Sequence, residues 1–113
     1  MDSSAITALE GRGRSYLGDP AAAAALYRRS LEATPGPRDS AIYRAGLAAA
    51  LAASGDVTGA VAEGMVVLTA LDTGGVMSPR TLARLHPLRQ AAAHNRQGED
   101  FCARYDQIGS PAE

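Results

Sequence analysis

Tryptophan and lysine are absent from this 113-residue chain, and cysteine occurs once, at Cys102. A lone cysteine excludes an intrachain disulfide. Aromatic residues are few: Tyr16, Tyr27, Tyr43, Tyr105 and Phe101. Bulk must therefore come from aliphatic side chains and from 24 alanines. Small side chains let helices approach closely, but each buries little area. At this length the chain is one small domain with a modest core, and a core this lean is commonly completed by self-association. No long apolar run occurs, and Met1-Asp2-Ser3-Ser4 carries no basic segment, so neither a secretory signal nor a membrane span is expected. Eleven basic residues, all arginine, stand against twelve acidic ones. A net charge of −1 provides no field to draw the chain to nucleic acid or to an anionic membrane. Arginine without lysine, amid abundant alanine and glycine, points to a GC-rich bacterial genome. The expected location is the cytoplasm.

What is present is an internal echo. Leu17-Gly18-Asp19-Pro20 is followed by Ala23, Tyr27, Leu31 and Pro35. Ser54-Gly55-Asp56-Val57, 37 residues on, is followed by Ala60, Gly64, Leu68 and Asp72. A fixed period of this size is the mark of stacked helix-turn-helix units that bury apolar faces against one another.

Periodicity and cap chemistry outline the helices. Ser3 or Ser4 caps a first helix to about Leu17, with Ile6, Leu9, Gly13, Tyr16 and Leu17 on its apolar side. Gly18 stops it, Asp19 caps the next and Pro20 suits the first helical position. That second helix carries the run Ala21 to Ala25 and ends at Pro35-Gly36-Pro37. Asp39 or Ser40 is expected to cap a third helix ending at Gly55, and Asp56 a fourth ending before the loop Asp72-Thr73-Gly74-Gly75. Ser78-Pro79 starts a fifth, with Leu82, Leu85 and Leu88 inward. Pro87 should kink or interrupt it near His86. After a break at Asn95 to Gly98, Glu99 and Asp100 open a sixth helix anchored by Phe101, Tyr105 and Ile108.

The two Gly-Asp hairpins resemble degenerate tetratricopeptide repeats. Gly11, Gly18, Asp19, Ala23, Tyr27, Leu31 and Pro35 stand at the pattern positions of one repeat. Leu47, Ala48, Leu51, Gly55, Asp56, Ala60 and Leu68 stand at those of a second. Glu10, Arg14, Gly64 and Asp72 depart from the pattern. The closing segment from Ser78 to Tyr105 is similar to the C-terminal domain of bacterial Xre-type helix-turn-helix regulators, here without the DNA-binding domain. The resemblance implies an all-α fold of about two hairpins followed by one or two C-terminal capping helices. The expected organisation is a single domain over 1–108: hairpins at about 4–34 and 39–72, C-terminal helices at about 78–108, and a tail at 109–113.

Constellations that would carry chemistry are thin. His86, His94 and Cys102 recur every eight residues, whereas zinc sites use tighter pairs and a fourth ligand. They read as two half-exposed histidines and a small buried thiol, with no metal and no cofactor expected. Cys102 has no histidine at helical spacing to activate it. Gly11-Arg12-Gly13 and Gly74-Gly75 lack the strand and lysine of a phosphate loop. No catalytic residue is assigned.

The resemblance also implies a concave surface lined by the first helix of each hairpin. Ala8, Arg12, Ser15 and Tyr16 would come from one, and Ile42, Ala45, Ala49 and Ala52 from the other. Arg80 and Arg84 would close the far end. An arginine fork beside a tyrosine suits the carboxylate or backbone of an extended peptide. The expected function is non-enzymatic binding of a protein or peptide, in a regulatory or adaptor role. The alternative is an accessory subunit or small enzyme of a specialised biosynthetic pathway. Direct nucleic-acid or membrane binding is not expected. Because two repeats are fewer than a self-supporting stack needs, a homodimer is.

Overall fold

A computed structural model describes residues 3–73 and 79–109. Among them the chain is all-α, with no strand. The helices are α1 (Ser3–Tyr16), α2 (Pro20–Glu32), α3 (Pro37–Ala53), α4 (Val57–Thr73), α5 (Pro79–Arg84), α6 (His86–Ala92) and α7 (Glu99–Gly109). A 3₁₀ turn, Arg96–Gly98, precedes the last. The valines at 61, 66 and 67 all lie within α4.

The two Gly-Asp corners are built alike, bond for bond. In the first, Asp19 N–H donates to the Arg14 carbonyl at 2.9 Å and Gly18 N–H to that of Ser15 at 3.1 Å. In the second, Asp56 N–H donates to Leu51 at 2.9 Å and Gly55 N–H to Ala52 at 3.1 Å. This paired closure needs a left-handed residue just past the helix end. Gly18 (φ +78°) and Gly55 (φ +92°) supply it at no steric cost. Each aspartate then caps the following helix: Asp19 Oδ1 accepts from Ala22 N–H at 3.2 Å, and Asp56 Oδ1 from Gly59 N–H at 2.9 Å. One residue pair thus ends a helix, turns the chain and starts the next helix. Turns this short leave α1 and α2, and α3 and α4, packed as helical hairpins.

Three expectations on helix limits change, and the break expected near Pro87 is found. Gly36, not Asp39 or Ser40, is the N-cap of α3, because Pro37 with its fixed φ already takes a first-turn position. The helix preceding it ends at Glu32, ahead of Pro35, and Thr34 takes a positive φ of 48°. Asp72 and Thr73 are helical residues of α4, while Gly74, Gly75 and Ser78 lie outside the described residues. At Pro87 the helix is interrupted: Leu85 forms the elbow between α5 and α6.

The core runs through α3, which buries Tyr43, Leu47, Leu51 and five smaller residues against α2, α4, α5 and α6. Ala23 and Ala60, five residues past each corner glycine, are both fully buried. Leu68, Leu85, Leu88 and Phe101 fill the far half with no exposed surface. Gly64 explains how they fit. It stands where the first hairpin has Tyr27, and a Cβ there would lie 2.7 Å from both Leu88 and Phe101. The aromatic missing from the second hairpin is therefore supplied by α7. An ion pair of 2.7 Å between Arg44 and Glu63 ties α3 to α4 at the half-buried edge.

The apolar side expected of α1 is not its buried side. Ser4, Ala8 and Gly11 face the core, whereas Ile6, Leu9, Tyr16 and Leu17 are exposed. The reason is steric: α1 must leave room for a tyrosine ring from its neighbour.

Candidate docking groove

That tyrosine is Tyr27. It leaves α2 and passes between α1 and α3, and the residue is 4% exposed. Two glycines make the passage. A Cβ on Gly11 would touch the ring edge at 3.3 Å, and one on Gly46 would overlap the ring well inside 3.0 Å. The side chain is therefore pinned on one side by α1 and on the other by α3. No donor or acceptor among the described residues bonds its hydroxyl, yet among those residues no buried polar side-chain atom lacks a partner. The Tyr27 hydroxyl is thus nearly buried and keeps only a narrow opening to solvent, at the bottom of a groove.

Two cavities make up this groove, and both have Arg12, Tyr27 and Arg84 in their walls. One, of about 210 Å³, is completed by Ala5, Ala8 and Leu9 of α1 and Ile42 and Tyr43 of α3. The other, of about 280 Å³, is completed by Ser15 and Tyr16 of α1, Gly46 and Ala49 of α3, and Ala83 and Pro87 at the elbow. Their walls are mostly carbon, and the cationic groups stand where the two meet.

Arg12 is held by its neighbour one turn on. Its guanidinium sits over the Tyr16 ring, 5.7 Å from the centroid, and donates to the Tyr16 hydroxyl at 3.3 Å. Among the described residues, neither Arg12 nor Arg84 has a carboxylate partner. Burial pushes the Tyr27 hydroxyl above its ordinary value of 10.0, and the charges of Arg84 and then Arg12 oppose that rise. The phenol is accordingly a neutral donor in a cationic setting. Both arginines and the tyrosine line a space whose walls carry no carboxylate among the described residues.

Of the residues expected to form a groove, Arg12, Tyr16, Ile42, Ala49 and Arg84 stand together in these walls, as do Ala8 and Ser15. Ala45 does not. It is fully buried, because its position on α3 points into the core. Arg80 is exposed on α5 about one turn before Arg84 and lines neither cavity, and Ala52 lines neither. Tyr27 and Tyr43 were not expected in the groove, since a tyrosine at a repeat position reads as packing. Gly11 and Gly46, two helix-interior glycines, carried the signal that something large crosses there.

The C-terminal cluster is otherwise employed. His86, Arg89, Gln90, Ala93, His94, Tyr105 and Asp106 line an open depression of about 490 Å³. Arg89 grips Asp106 through both carboxylate oxygens, at 3.0 and 2.9 Å. That bidentate contact holds Asp106 below its ordinary value and Arg89 above its own. The Cys102 thiol is half-buried and faces the Arg89 carbonyl at 3.8 Å. No group of three or more His, Cys, Asp or Glu among the described residues is arranged to hold a metal ion. No helix among them is long and apolar enough to cross a membrane.

Comparison of the chain with protein-family models, with curated proteins and with solved structures finds no match.

Proposed function

We propose that this chain is a non-enzymatic docking module that holds an extended, carboxylate-bearing protein or peptide segment in the groove between α1, α3 and the α5–α6 elbow. The observation that carries the reading is the pair Arg12 and Arg84, without carboxylate partners among the described residues, sharing both groove walls with Tyr27. Guanidinium groups bind carboxylates through paired, charge-assisted hydrogen bonds. A ligand carboxylate supplies the missing counter-charge, and Tyr27 donates a third bond. The carbon-lined cavities to either side each suit an apolar side chain of the same segment. The preferred ligand then has an acidic residue between two apolar ones in extended conformation.

Such docking on the first helices of successive hairpins is what the tetratricopeptide resemblance implies. A regulatory or adaptor role is what the resemblance to the Xre-type regulators implies.

The test is fluorescence anisotropy with labelled decapeptides selected on the protein from a displayed random library. Selected peptides should carry Asp, Glu or a free C-terminal carboxylate flanked by apolar residues. Replacing that acid with its amide, or Arg12 and Arg84 each with Ala, should weaken binding about tenfold or more, as loss of a charge-assisted hydrogen bond does. Selected peptides without an acid, or unchanged affinity in the Arg12→Ala/Arg84→Ala double variant, would defeat the proposal.

A further inference from the structure

Ile6, Glu10 and Gly13 of α1 and Leu17, whose N–H still bonds back to the Gly13 carbonyl just past the helix end, recur at intervals of four, three and four residues, so they form one stripe. The core side of this helix carries Ser4, Ala8 and Gly11, and the groove side carries Ala5, Arg12 and Tyr16. The stripe points away from both. Ile6 is 49% exposed and Leu17 79%, and Leu9, at 55%, borders stripe and groove. The main packing of α1 is on α2, with a smaller contact to α3, and Ile6 and Leu17 stay exposed on this face.

Gly13 is the odd member. A glycine inside a helix weakens it relative to alanine. Gly11 and Gly46 are explained by the Tyr27 ring, but a Cβ on Gly13 would have nothing within 4 Å. The described fold therefore gives no packing reason for it. A helix rule broken with no internal gain points outward, to a close approach by something else. Glu10 and Arg14 stand beside it, both exposed and neither in an ion pair among the described residues.

We propose that this stripe docks a second copy of the chain, the two α1 helices crossing antiparallel about a two-fold axis between Gly11 and Arg12. Under that operation Ile6 meets the partner's Leu17, and Glu10 lies across the partner's Gly13. The same register brings Glu10 to Arg14 of the partner subunit. Each contact occurs twice, as an isologous interface requires. The charges are self-complementary: the axis exchanges acid for base and opposes no like pair. Glycine at the crossing lets the helix axes come close, since their separation is set by the side chains at the contact. The groove lies on another side of α1 and stays open in the dimer. A helix of 14 residues presents a small interface, and association is correspondingly weak and concentration-dependent.

Sedimentation equilibrium over a wide concentration range tests this. The mass should climb from 11.6 kDa towards twice that value as concentration rises. Glu10→Arg and Arg14→Glu singly oppose like charges and should each weaken association roughly tenfold. The double swap Glu10→Arg/Arg14→Glu should restore it. Gly13→Leu should abolish the dimer while raising the thermal midpoint of the monomer, which separates loss of docking from loss of folding. A mass that stays at 11.6 kDa throughout, a Gly13→Leu protein that still dimerises, or a double swap no better than the single reversals would overturn the proposal.

Discussion

Gly46→Ala adds one methyl group and tests the placement of Tyr27. In an ordinary exposed helix interior this change is favourable by up to about 1 kcal/mol, because alanine is the better helix former. Here the new Cβ would overlap Cζ and Cε1 of the Tyr27 ring well inside 3.0 Å. The ring has little room to retreat, because on its α1 side the only slack is the missing Cβ of Gly11, which would itself reach the ring at 3.3 Å. Forcing a methyl group into a filled core costs about 1–3 kcal/mol, and a ring pinned on both sides belongs in the upper half of that range. The net expectation is a loss of roughly 1–2 kcal/mol, or a thermal midpoint lower by about 4–8 °C for a domain of this size. Gly13→Ala, at low protein concentration, is the control. The same methyl group meets open space on α1, so stability should rise by up to about 1 kcal/mol. Two interior glycines thus respond with opposite sign. Urea denaturation followed by circular dichroism measures both. Coupling adds a further check: the cost of Gly46→Ala should shrink in a Tyr27→Leu background, where the ring is gone. A Gly46→Ala protein at least as stable as the parent, with no such coupling, would refute the wedge and with it the floor of the groove.

Phe101→Ala should cost about 3–5 kcal/mol, because a fully buried ring that fills the space over Gly64 is lost from between α4 and α7; chemical denaturation reads it directly. Asp56→Ala removes the N-cap bond to Gly59 and should cost about 1 kcal/mol, with Asp19→Ala costing a similar amount at the equivalent corner. Burial raises the Tyr27 hydroxyl above its ordinary 10.0, so the folded chain holds that proton more tightly than the unfolded chain does. The stability tied to the neutral phenol is therefore complete below pH 10 and is lost as pH rises through the folded value. Urea midpoints between pH 8 and pH 11 should fall more steeply for the parent than for Tyr27→Phe, and parallel slopes would count against the burial of this group.

The corners were legible because cap chemistry is local. A left-handed glycine and an aspartate that caps the next helix need only their own few residues, and Gly18-Asp19 and Gly55-Asp56 announce them without reference to the rest of the fold. The interruption at Pro87 was legible for the same reason: a proline cannot donate the bond that would carry α5 into α6. The start of α3 was misread through a competition of local signals. Asp39 is a good cap residue, but Pro37 two positions earlier is a good first-turn residue, and the helix extends to the earlier one.

The groove was only half legible, and α1 shows why. Periodicity places Ile6, Leu9 and Leu17 on the core side, since apolar residues ordinarily face inward. The structure turns the helix over, because its packing is decided by what α2 pushes against it. Tyr27 needs a partner without bulk, and the side of α1 that carries Ala8 and Gly11 is the one that provides it. Small residues have the least hydrophobic signal and the greatest steric permission, so a pattern built on hydrophobicity ranks them last where packing ranks them first. The same reversal leaves Arg12 on the groove wall beside Tyr16 and sends Ile6, Glu10, Gly13 and Leu17 outward. A single tyrosine crossing between two glycines thereby sets both surfaces of α1: the one that shares the groove with Arg84, and the one that leaves Ile6 and Leu17 exposed.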